Sequence, residues 1–361
     1  MTARIAIRVD SSSSIGSGHV MRCITLAKAF RTHNLNPTFI CKKLSGNIIN
    51  VIRDNQFPVV EIECIDSLDS INDRHTIKLN NQHELIDAEN TIRLIQDMSL
   101  DLLVVDHYAL SSIWEKKIND FVQNIMVIDD LANRPHKCAF LLDQNYHPQP
   151  KEKYKGLVNN TCMQLIGPQY AILDESYREF AKLNRLRGMK VKNILVFFGS
   201  YDVSGETIKV LDAFLKINTD EIELNIVVGV NNPNKDYIQQ KCLEKNYNFH
   251  CQINNMAELI YNADLGIGAS GASTWERCIL GLPTLTTIVA DNQIEVANGL
   301  SKIRAINLIG VHQNLSKKDY RARINEAINN HSQRALLSLN AKNIVSFGTD
   351  IIAKLILAKL K

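Results

Sequence analysis

The 361-residue chain lacks the features that mark several large classes of protein. Its eight cysteines form no C-x-x-C pair and its histidines do not cluster at zinc spacing, so we expect reduced thiols and no metal. No block of lysine and arginine stands out, and a formal net charge of +3 is too small to indicate a nucleic-acid partner. Because no apolar run approaches the roughly 20 residues of a membrane helix, we expect no stable membrane insertion. We also expect no signal peptide and a cytoplasmic protein.

Short apolar runs alternate with helical patterns along most of the chain. This alternation is typical of a parallel sheet covered by helices. The length exceeds that of one ordinary domain, and an apolar fraction of 45% is enough for two cores. We therefore predict an α/β protein with two doubly wound, Rossmann-like domains. The predicted strands cover residues 5–9, 37–41, 59–62, 102–105, 125–128 and 140–142, then 193–198, 222–228, 265–268 and 284–288.

A charged helical pattern separates the two series of strands. We predict an N-terminal domain over residues 1–175 and a C-terminal domain over residues 190–345. Residues 346–361 have the pattern of an amphipathic helix, which we expect to pack back across the domain boundary. Residues 66–82 are polar and irregular and predict a surface excursion.

A loop rich in serine and glycine, within the segment RVDSSSSIGSGHVMR, joins the first predicted strand to the first predicted helix. In an open parallel sheet, ligands bind at this edge. Gly16 and Gly18 allow a sharp turn and a close approach to a ligand. His19 falls in the first turn of the helix, where the dipole disfavours imidazolium and favours a neutral, proton-accepting ring. The alternative is a surface histidine at a helix start, but the neighbouring Asp10 and Arg22 favour a site.

Aspartates repeatedly follow the predicted strands of the first half: Asp10, Asp106, Asp129 and Asp143. Because the carboxyl ends of parallel strands meet at one edge of the sheet, these carboxylates are candidates for a functional edge. Each also has a structural interpretation, since aspartate commonly caps the following helix.

A second loop of small residues, within GIGASGASTWE, opens a helix in the C-terminal half. Its backbone N–H groups are placed to hold a diphosphate, although it lacks the Gly-Lys-Ser/Thr of a P-loop. Glu276 either accepts the hydroxyls of a ribose or completes a capping box with Ser273. Asn292 and Gln293 follow the next strand and either recognise phosphate or sugar groups or serve turn and cap chemistry.

Several segments resemble the pseudaminic acid biosynthesis hydrolase (PseG) family. They are RVDSSSSIGSGHVMRCITLA, VDHY, YAIL, ASGASTWE and DNQ, and they span both halves. The resemblance implies a GT-B-like architecture, with an N-terminal domain for sugar binding and catalysis facing a C-terminal UDP-binding domain across a cleft. Enzymes of this family hydrolyse UDP-2,4-diacetamido-2,4,6-trideoxy-β-L-altropyranose. No cofactor is implied, and no Asp-x-Asp motif occurs.

The resemblance also implies roles for individual residues. His19 is the catalytic base that activates water for attack at C1. Candidate substrate contacts are Arg8, Asp10, Gly16, Gly18, Arg22, His107 and Tyr108. The UDP side comprises Gly199, Ser200, Asp202, Ala269, Ser270, Gly271, Ser273, Glu276, Asn292 and Gln293.

Three points stay open at this stage. Asp10 either orients His19 or binds the sugar, and Arg8 is either a substrate contact or a solvent-facing strand end. The family's Gly-Gly-Ser/Thr-Asp turn appears here with Ser200 and Tyr201 in its middle, which places a Cβ where bare backbone is expected near the diphosphate.

Two other functions compete with hydrolysis of a UDP-sugar. A GT-B glycosyltransferase would use the same donor with an acceptor hydroxyl in place of water, but residues 60–100 are too polar for a lipid acceptor. A non-catalytic sugar-nucleotide-binding protein would need no base, and the Gly-His pair at a helix start argues against it.

Overall fold

A computed structural model describes residues 3–63, 81–217 and 221–360. The chain divides into two compact units, Met1–Ile172 with Phe347–Lys361, and Leu173–Ser346. Most of the predicted surface excursion lies outside the described residues, and its last two residues begin a helix. No helix in the described ranges is long and apolar enough to cross a membrane.

The first unit is built on a sheet of seven parallel strands. These are β1 Ile5–Val9, β2 Thr38–Lys42, β3 Val59–Ile62, β4 Leu102–Asp106, β5 Ile125–Ile128, β6 Phe140–Asp143 and β7 Met163–Ile166. Their order is β3-β2-β1-β4-β5-β6-β7, so the direction of winding reverses between β1 and β4. The register pairs Val9 with Asp106 at the carboxyl ends of those two strands. Ligands of doubly wound sheets bind outside this reversal point.

Helices cover both faces of this sheet: α1 Gly18–Arg31, α2 Ile49–Asp54, α3 Asn81–Ile95, α4 Ser112–Ile118 and α5 Pro150–Lys153. Successive residues of each central strand pack into two separate hydrophobic cores. Ile7 and Val104 belong to one hydrophobic cluster, whereas Ala6 and Leu103 belong to the other. Continuous apolar runs are what strands buried on both faces require.

The second unit repeats the plan with six parallel strands: β8 Asn193–Phe197, β9 Glu223–Val228, β10 Asn248–Cys251, β11 Leu265–Ala269, β12 Thr284–Ile288 and β13 Asn307–Val311. The order is β10-β9-β8-β11-β12-β13, so this sheet reverses between β8 and β11. The helices are α6 Glu175–Lys182, α7 Glu206–Phe214, α8 Lys235–Lys245, α9 Met256–Asn262, α10 Ser273–Ile279, α11 Ile294–Lys302, α12 Lys317–Asn329 and α13 His331–Ile344.

The last helix, α14 Gly348–Lys359, returns to the first unit. Ile352 and Ile356 are wholly buried in the same cluster as the inner face of α1. A Cβ on Gly348 would lie 2.3 Å from Cα of Tyr170, so only glycine lets the helix start this close to the chain. The Gly348 amide also donates to the carbonyl oxygen of Ala171 at 3.0 Å.

The two doubly wound parallel sheets confirm the predicted α/β class. Three strands, β7, β10 and β13, were not expected from the sequence. All three lie at sheet edges, and β10 and β13 have no fully buried residue. An edge strand packs against fewer neighbours, so it carries a weaker apolar signal than a central strand.

Candidate functional site

The centre of the N-terminal site is a contact between His19 and Asp106. His19 lies in the first turn of α1, and Asp106 ends β4, so both stand at the reversal point of the sheet. His19 Nδ1 is 2.6 Å from Asp106 Oδ1. Arg22, one turn further along α1, donates from Nε to Oδ2 and from Nη2 to Oδ1, both at 2.6 Å. The i,i+3 spacing puts His19 and Arg22 on one helix face, and both reach the same carboxylate.

These contacts assign the protons of the imidazole. Burial by itself would raise the pKa of Asp106, but the charges of Arg22 and then His19 outweigh burial and hold it well below its ordinary range. His19 Nδ1 is also 3.1 Å from Arg22 Nη2, which can only donate, but its contact with Asp106 is shorter, at 2.6 Å, and Nη2 already donates to that carboxylate. A carboxylate only accepts hydrogen bonds, so we place the proton of a neutral His19 ring on Nδ1, from which it is donated to Asp106. The lone pair is therefore on Nε2. Nε2 has no hydrogen-bond partner among the described residues, and the side chain remains 11% exposed.

Tyr108 supports the imidazole from one side. Its ring meets that of His19 edge to face, with centroids 4.6 Å apart and planes at 86°. The phenol donates to Asp130 Oδ1 at 2.7 Å. Burial, followed by the charge of Asp130, raises the pKa of Tyr108 well above its ordinary value, so the hydroxyl stays protonated. Asp130 also lies 3.7 Å from Arg22 Nη1, which links it to the same network.

A second buried network surrounds Arg8, which is not the solvent-facing strand end considered above. Its guanidinium is wholly buried and donates from Nη2 to Asp10 at 2.9 Å and to Asp87 at 2.7 Å. Asp10 in turn lies 3.2 Å from His107 Nε2. His107 Nδ1 accepts from the Ala109 amide, so Nε2 carries the proton that faces Asp10.

The orientation of His19 therefore falls to Asp106 and not to Asp10. Asp10 is 2% exposed and is occupied by Arg8 and His107. Of the two roles considered for Asp10, orientation of His19 is wrong.

The serine and glycine loop forms a closed turn ahead of α1. The Gly16 amide donates to the Ser12 carbonyl oxygen at 2.8 Å, and Gly16 has φ of 86°, which favours glycine. A Cβ on Gly18 would meet no described atom within 4 Å, so the space beside His19 is open. The Ser13 amide donates to the Ser45 carbonyl oxygen at 3.2 Å, which anchors the loop.

In the second unit the loop after β11 is anchored by Arg277. This buried guanidinium donates to the carbonyl oxygen of Ala269 at 2.6 Å and to Ser273 Oγ at 2.9 Å. The Ser270 amide donates to Thr287 O at 3.1 Å, while the buried Ser270 Oγ has no partner among the described residues. The amides of Gly271 and Ala272 likewise make no hydrogen bond within that part of the chain.

Of the two roles considered for Glu276, the capping box with Ser273 is wrong. Helix α10 begins at Ser273 itself, so the N-cap position falls to Ala272, which has no side-chain acceptor, and the Ser273 hydroxyl accepts from Arg277 instead. Glu276 instead meets the hydroxyl of Tyr177 on α6. Burial raises the pKa of Glu276, while the hydrogen bond from Tyr177 and the charge of Arg277 oppose that rise.

The turn with the unexpected Cβ follows β8. Asp202 accepts the amides of Glu206 and Thr207 at 3.0 and 2.9 Å, so its carboxylate satisfies the start of α7. Ser200 is accommodated by a glycine on the neighbouring loop. A Cβ on Gly229 would lie 2.4 Å from Ser200 O and 2.8 Å from Ser200 Cβ. Gly199, with φ of 96°, supplies the backbone freedom of the turn.

Gln293 and Asn292 follow β12. The Gln293 side-chain oxygen accepts the Val289 amide at 3.0 Å, and its nitrogen lies 3.8 Å from the position of a Cβ on Gly271. Asn292 is exposed. The side-chain oxygen of Gln293 thus stabilises the turn after β12, while its side-chain N–H groups lie near the loop after β11.

Sequence reasoning assigned no role to three of these residues, Asp130, Tyr177 and Arg277, and it did not pair Asp106 with His19. Asp106 was visible as an acid after a predicted strand, but its pairing with His19 follows from the neighbouring positions of β1 and β4. Throughout residues 3–63, 81–217 and 221–360, no group of three or more His, Cys, Asp or Glu is arranged to hold a metal ion.

Residues 193–352 match the glycosyltransferase family 28 C-terminal domain. MurG of Acinetobacter baumannii superposes with a TM-score of 0.66 at 14% identity, covering 98% of this chain and 99% of MurG. The fold is GT-B-like.

Three curated proteins are similar in sequence, two of them at 28% and 29% identity. The UDP-2,4-diacetamido-2,4,6-trideoxy-beta-L-altropyranose hydrolase of Campylobacter jejuni is 28% identical over 301 residues, which cover 83% of this chain and 96% of the relative. The uncharacterized protein MJ1062 of Methanocaldococcus jannaschii is 29% identical over 303 residues, which cover 81% of this chain. The match spans 56% of MJ1062, so this chain corresponds to about half of that protein.

Proposed function

We propose that the protein is a hydrolase that releases UDP from a UDP-2,4-diacetamido-2,4,6-trideoxyhexose by attack of water at C1. The observation that carries this proposal is His19, whose Nδ1 proton is held by Asp106 and whose Nε2 lone pair is unpartnered in the described chain. The similarity to the Campylobacter jejuni hydrolase, along nearly all of its length, supports the substrate class.

In the proposed reaction, Nε2 of His19 takes a proton from water as the water oxygen bonds to C1. The bond between C1 and the phosphate oxygen breaks, and its electron pair leaves with UDP from the opposite face. The resulting imidazolium is stabilised by Asp106, which remains a carboxylate because of Arg22. General-base catalysis of this kind contributes roughly 10²–10⁴ in rate.

The leaving diphosphate needs stabilisation of charge more than it needs an acid. We assign this to the loop after β11, where the amides of Gly271 and Ala272 and the hydroxyl of Ser270 lack partners in the described residues. Donors fixed before the reaction stabilise developing negative charge without reorganisation. The side-chain N–H groups of Gln293 lie toward the same loop.

Glu276 is the proposed acceptor for the ribose hydroxyls. Glu276 is half-buried and contacts Tyr177 rather than the start of α10, so helix capping does not account for it. The Tyr177 hydroxyl uses one acceptor site of the Glu276 carboxylate, and the second oxygen can accept a hydrogen bond from a ligand hydroxyl.

A glycosyltransferase is the second candidate function. The match of residues 193–352 to the glycosyltransferase family 28 C-terminal domain favours it. The nucleotide site would be the same, and an acceptor hydroxyl would deliver its proton to His19 in place of water.

Incubation with a panel of UDP-diacetamido-trideoxyhexoses, without any acceptor, separates these functions. If the protein is a hydrolase, it should release equal amounts of free UDP and free sugar. This activity should be lost in the His19→Asn variant and retained in the His33→Asn variant. His33 is a matched control because it is exposed just after α1. UDP release that requires an acceptor would establish transfer, and binding without turnover would establish a non-catalytic sugar-nucleotide-binding protein. Either result would contradict the proposed hydrolase.

A further inference from the structure

Two cysteines lie side by side in the first unit, away from the residues assigned to hydrolysis. The Sγ atoms of Cys138 and Cys162 are 3.6 Å apart. Cys138 stands just before β6 and Cys162 just before β7, and the two strands are parallel neighbours. The Met163 amide donates to the Ala139 carbonyl oxygen at 2.9 Å, so the backbones are already paired beside the two thiols.

This placement is compatible with a covalent bond between the two sulfurs. Because Phe140 pairs with Met163, Cys162 lies opposite Ala139 and one position away from Cys138. Strands about 4.8 Å apart and a rise of about 3.3 Å per residue place the two Cα atoms about 6 Å apart, within the range of about 4.4–6.8 Å that a disulfide spans. Bringing the sulfurs to the bond length of about 2.05 Å therefore requires side-chain rotation rather than a change of strand pairing.

The two thiols differ in accessibility and in acidity. Cys138 is 4% exposed, whereas Cys162 is partly exposed. The hydrogen bond between the two thiols and the positive charge of Lys359 on α14 lower the pKa of Cys162, although burial opposes this. The pKa of Cys138 is raised by the same hydrogen bond and by burial. Cys162 is thus the nucleophile and Cys138 the second thiol of the pair.

We propose that Cys138 and Cys162 are a dithiol that a small-molecule disulfide converts into an intramolecular disulfide. The Cys162 thiolate attacks one sulfur of the reagent, and the other half leaves as a thiolate. Cys138 then loses its proton and attacks the Cys162 sulfur, which expels the second half as a thiolate. The protein loses two electrons and two protons, and the reagent is reduced to two thiols.

The bond would close a loop of about 25 residues. That loop contains Lys153, which contacts Asp143 and the backbone of Asp130 beside the N-terminal site. The cysteines precede their strands, whereas His19 and Asp106 lie at the carboxyl edge of the sheet. We therefore expect the disulfide to stabilise the first unit and to leave UDP release unchanged.

Native full-length protein treated with oxidised glutathione provides the test. The expected product is lighter by about 2 Da, contains one tryptic cross-link between Cys138 and Cys162, and melts about 5 °C higher. Cys251→Ser, which removes another partly exposed thiol, should behave like the wild type. Cys138→Ser should stop at a glutathione adduct on Cys162, and Cys162→Ser should not react.

A wild-type protein that keeps a glutathione adduct on Cys162, or that cross-links a different cysteine, would overturn the proposal. So would a protein that shows no change in mass under conditions that oxidise a free dithiol peptide. A cross-link between the two cysteines without the higher melting temperature would overturn the stabilising role.

Discussion

Replacing Asp106 with asparagine removes the charge that holds His19 while nearly preserving the side-chain volume. The amide retains only one acceptor oxygen, yet Arg22 and His19 together present three donor atoms to the present carboxylate. The imidazole then loses the partner that fixes its proton on Nδ1. We expect kcat for UDP release to fall by about 10²–10⁴, the full contribution of a general base.

The same substitution also affects stability. Removing one partner of a buried ion pair typically costs about 3–5 kcal/mol in free energy of unfolding. Asp130 lies 3.7 Å from Arg22 Nη1 and offers a residual partner, so we expect a cost near the lower end of that range. A fall in kcat has meaning only at a temperature where circular dichroism shows the variant to be folded.

Asp129→Asn is the matched control for this experiment. Asp129 is also wholly buried after a strand and pairs with Arg134 at 2.7 Å, but it makes no hydrogen bond to His19. We expect a similar loss of stability with kcat within about threefold of the wild type. A folded Asp106→Asn with wild-type kcat would refute the role of Asp106. An equal loss of kcat in both variants would attribute the effect to general destabilisation.

Three further predictions concern other parts of the chain. Glu276→Gln keeps an acceptor for the Tyr177 hydroxyl but loses the negative charge. UDP affinity measured by calorimetry should therefore fall about tenfold, with little change in melting temperature. An unchanged affinity would mean that Glu276 contacts Tyr177 but does not bind UDP. Gly229→Ala places a Cβ 2.4 Å from Ser200 O, so it should lower the free energy of unfolding in urea by about 1–3 kcal/mol and weaken UDP binding. Wild-type stability and affinity in this variant would show that the turn accommodates the extra methyl group. Burial raises the pKa of Asp143 to about 6, so its contribution to stability is present below about pH 4 and is lost as pH rises through 6. Asp143→Asn should therefore gain about 3 kcal/mol relative to the wild type between pH 4 and pH 7; a pH-independent difference would contradict this.

The α/β class followed from sequence because central strands are buried on both faces and read as continuous apolar runs. The helix from Gly18 was predicted from the serine and glycine loop that precedes it and from the apolar residues that form its buried face. The edge strands β7, β10 and β13 were missed because few of their residues are buried. Strand order was also beyond sequence reasoning, since it depends on how the crossovers place β4 beside β1.

The candidate site was predictable in its residue types but not in its partnerships. His19, Arg22 and His107 were chosen from one loop and one strand end, and the structure places all three in hydrogen-bonded networks. The nearest acid in sequence, Asp10, was considered for orienting His19, whereas the contact is made by Asp106. The capping pattern at Ser273 and Glu276 was also misleading, because α10 begins at Ser273 and not after it, and a four-residue motif does not show where the helix starts.

The position of oxygen incorporation tests the proposed chemistry most directly. Reaction in ¹⁸O-labelled water, without an acceptor, should place the label at C1 of the released sugar and leave UDP unlabelled, because His19 is proposed to direct water to carbon. Mass spectrometry of both products distinguishes the outcomes in a single experiment. Label in UDP would mean that water attacks phosphorus, and it would contradict both the proposed reaction and the role of His19.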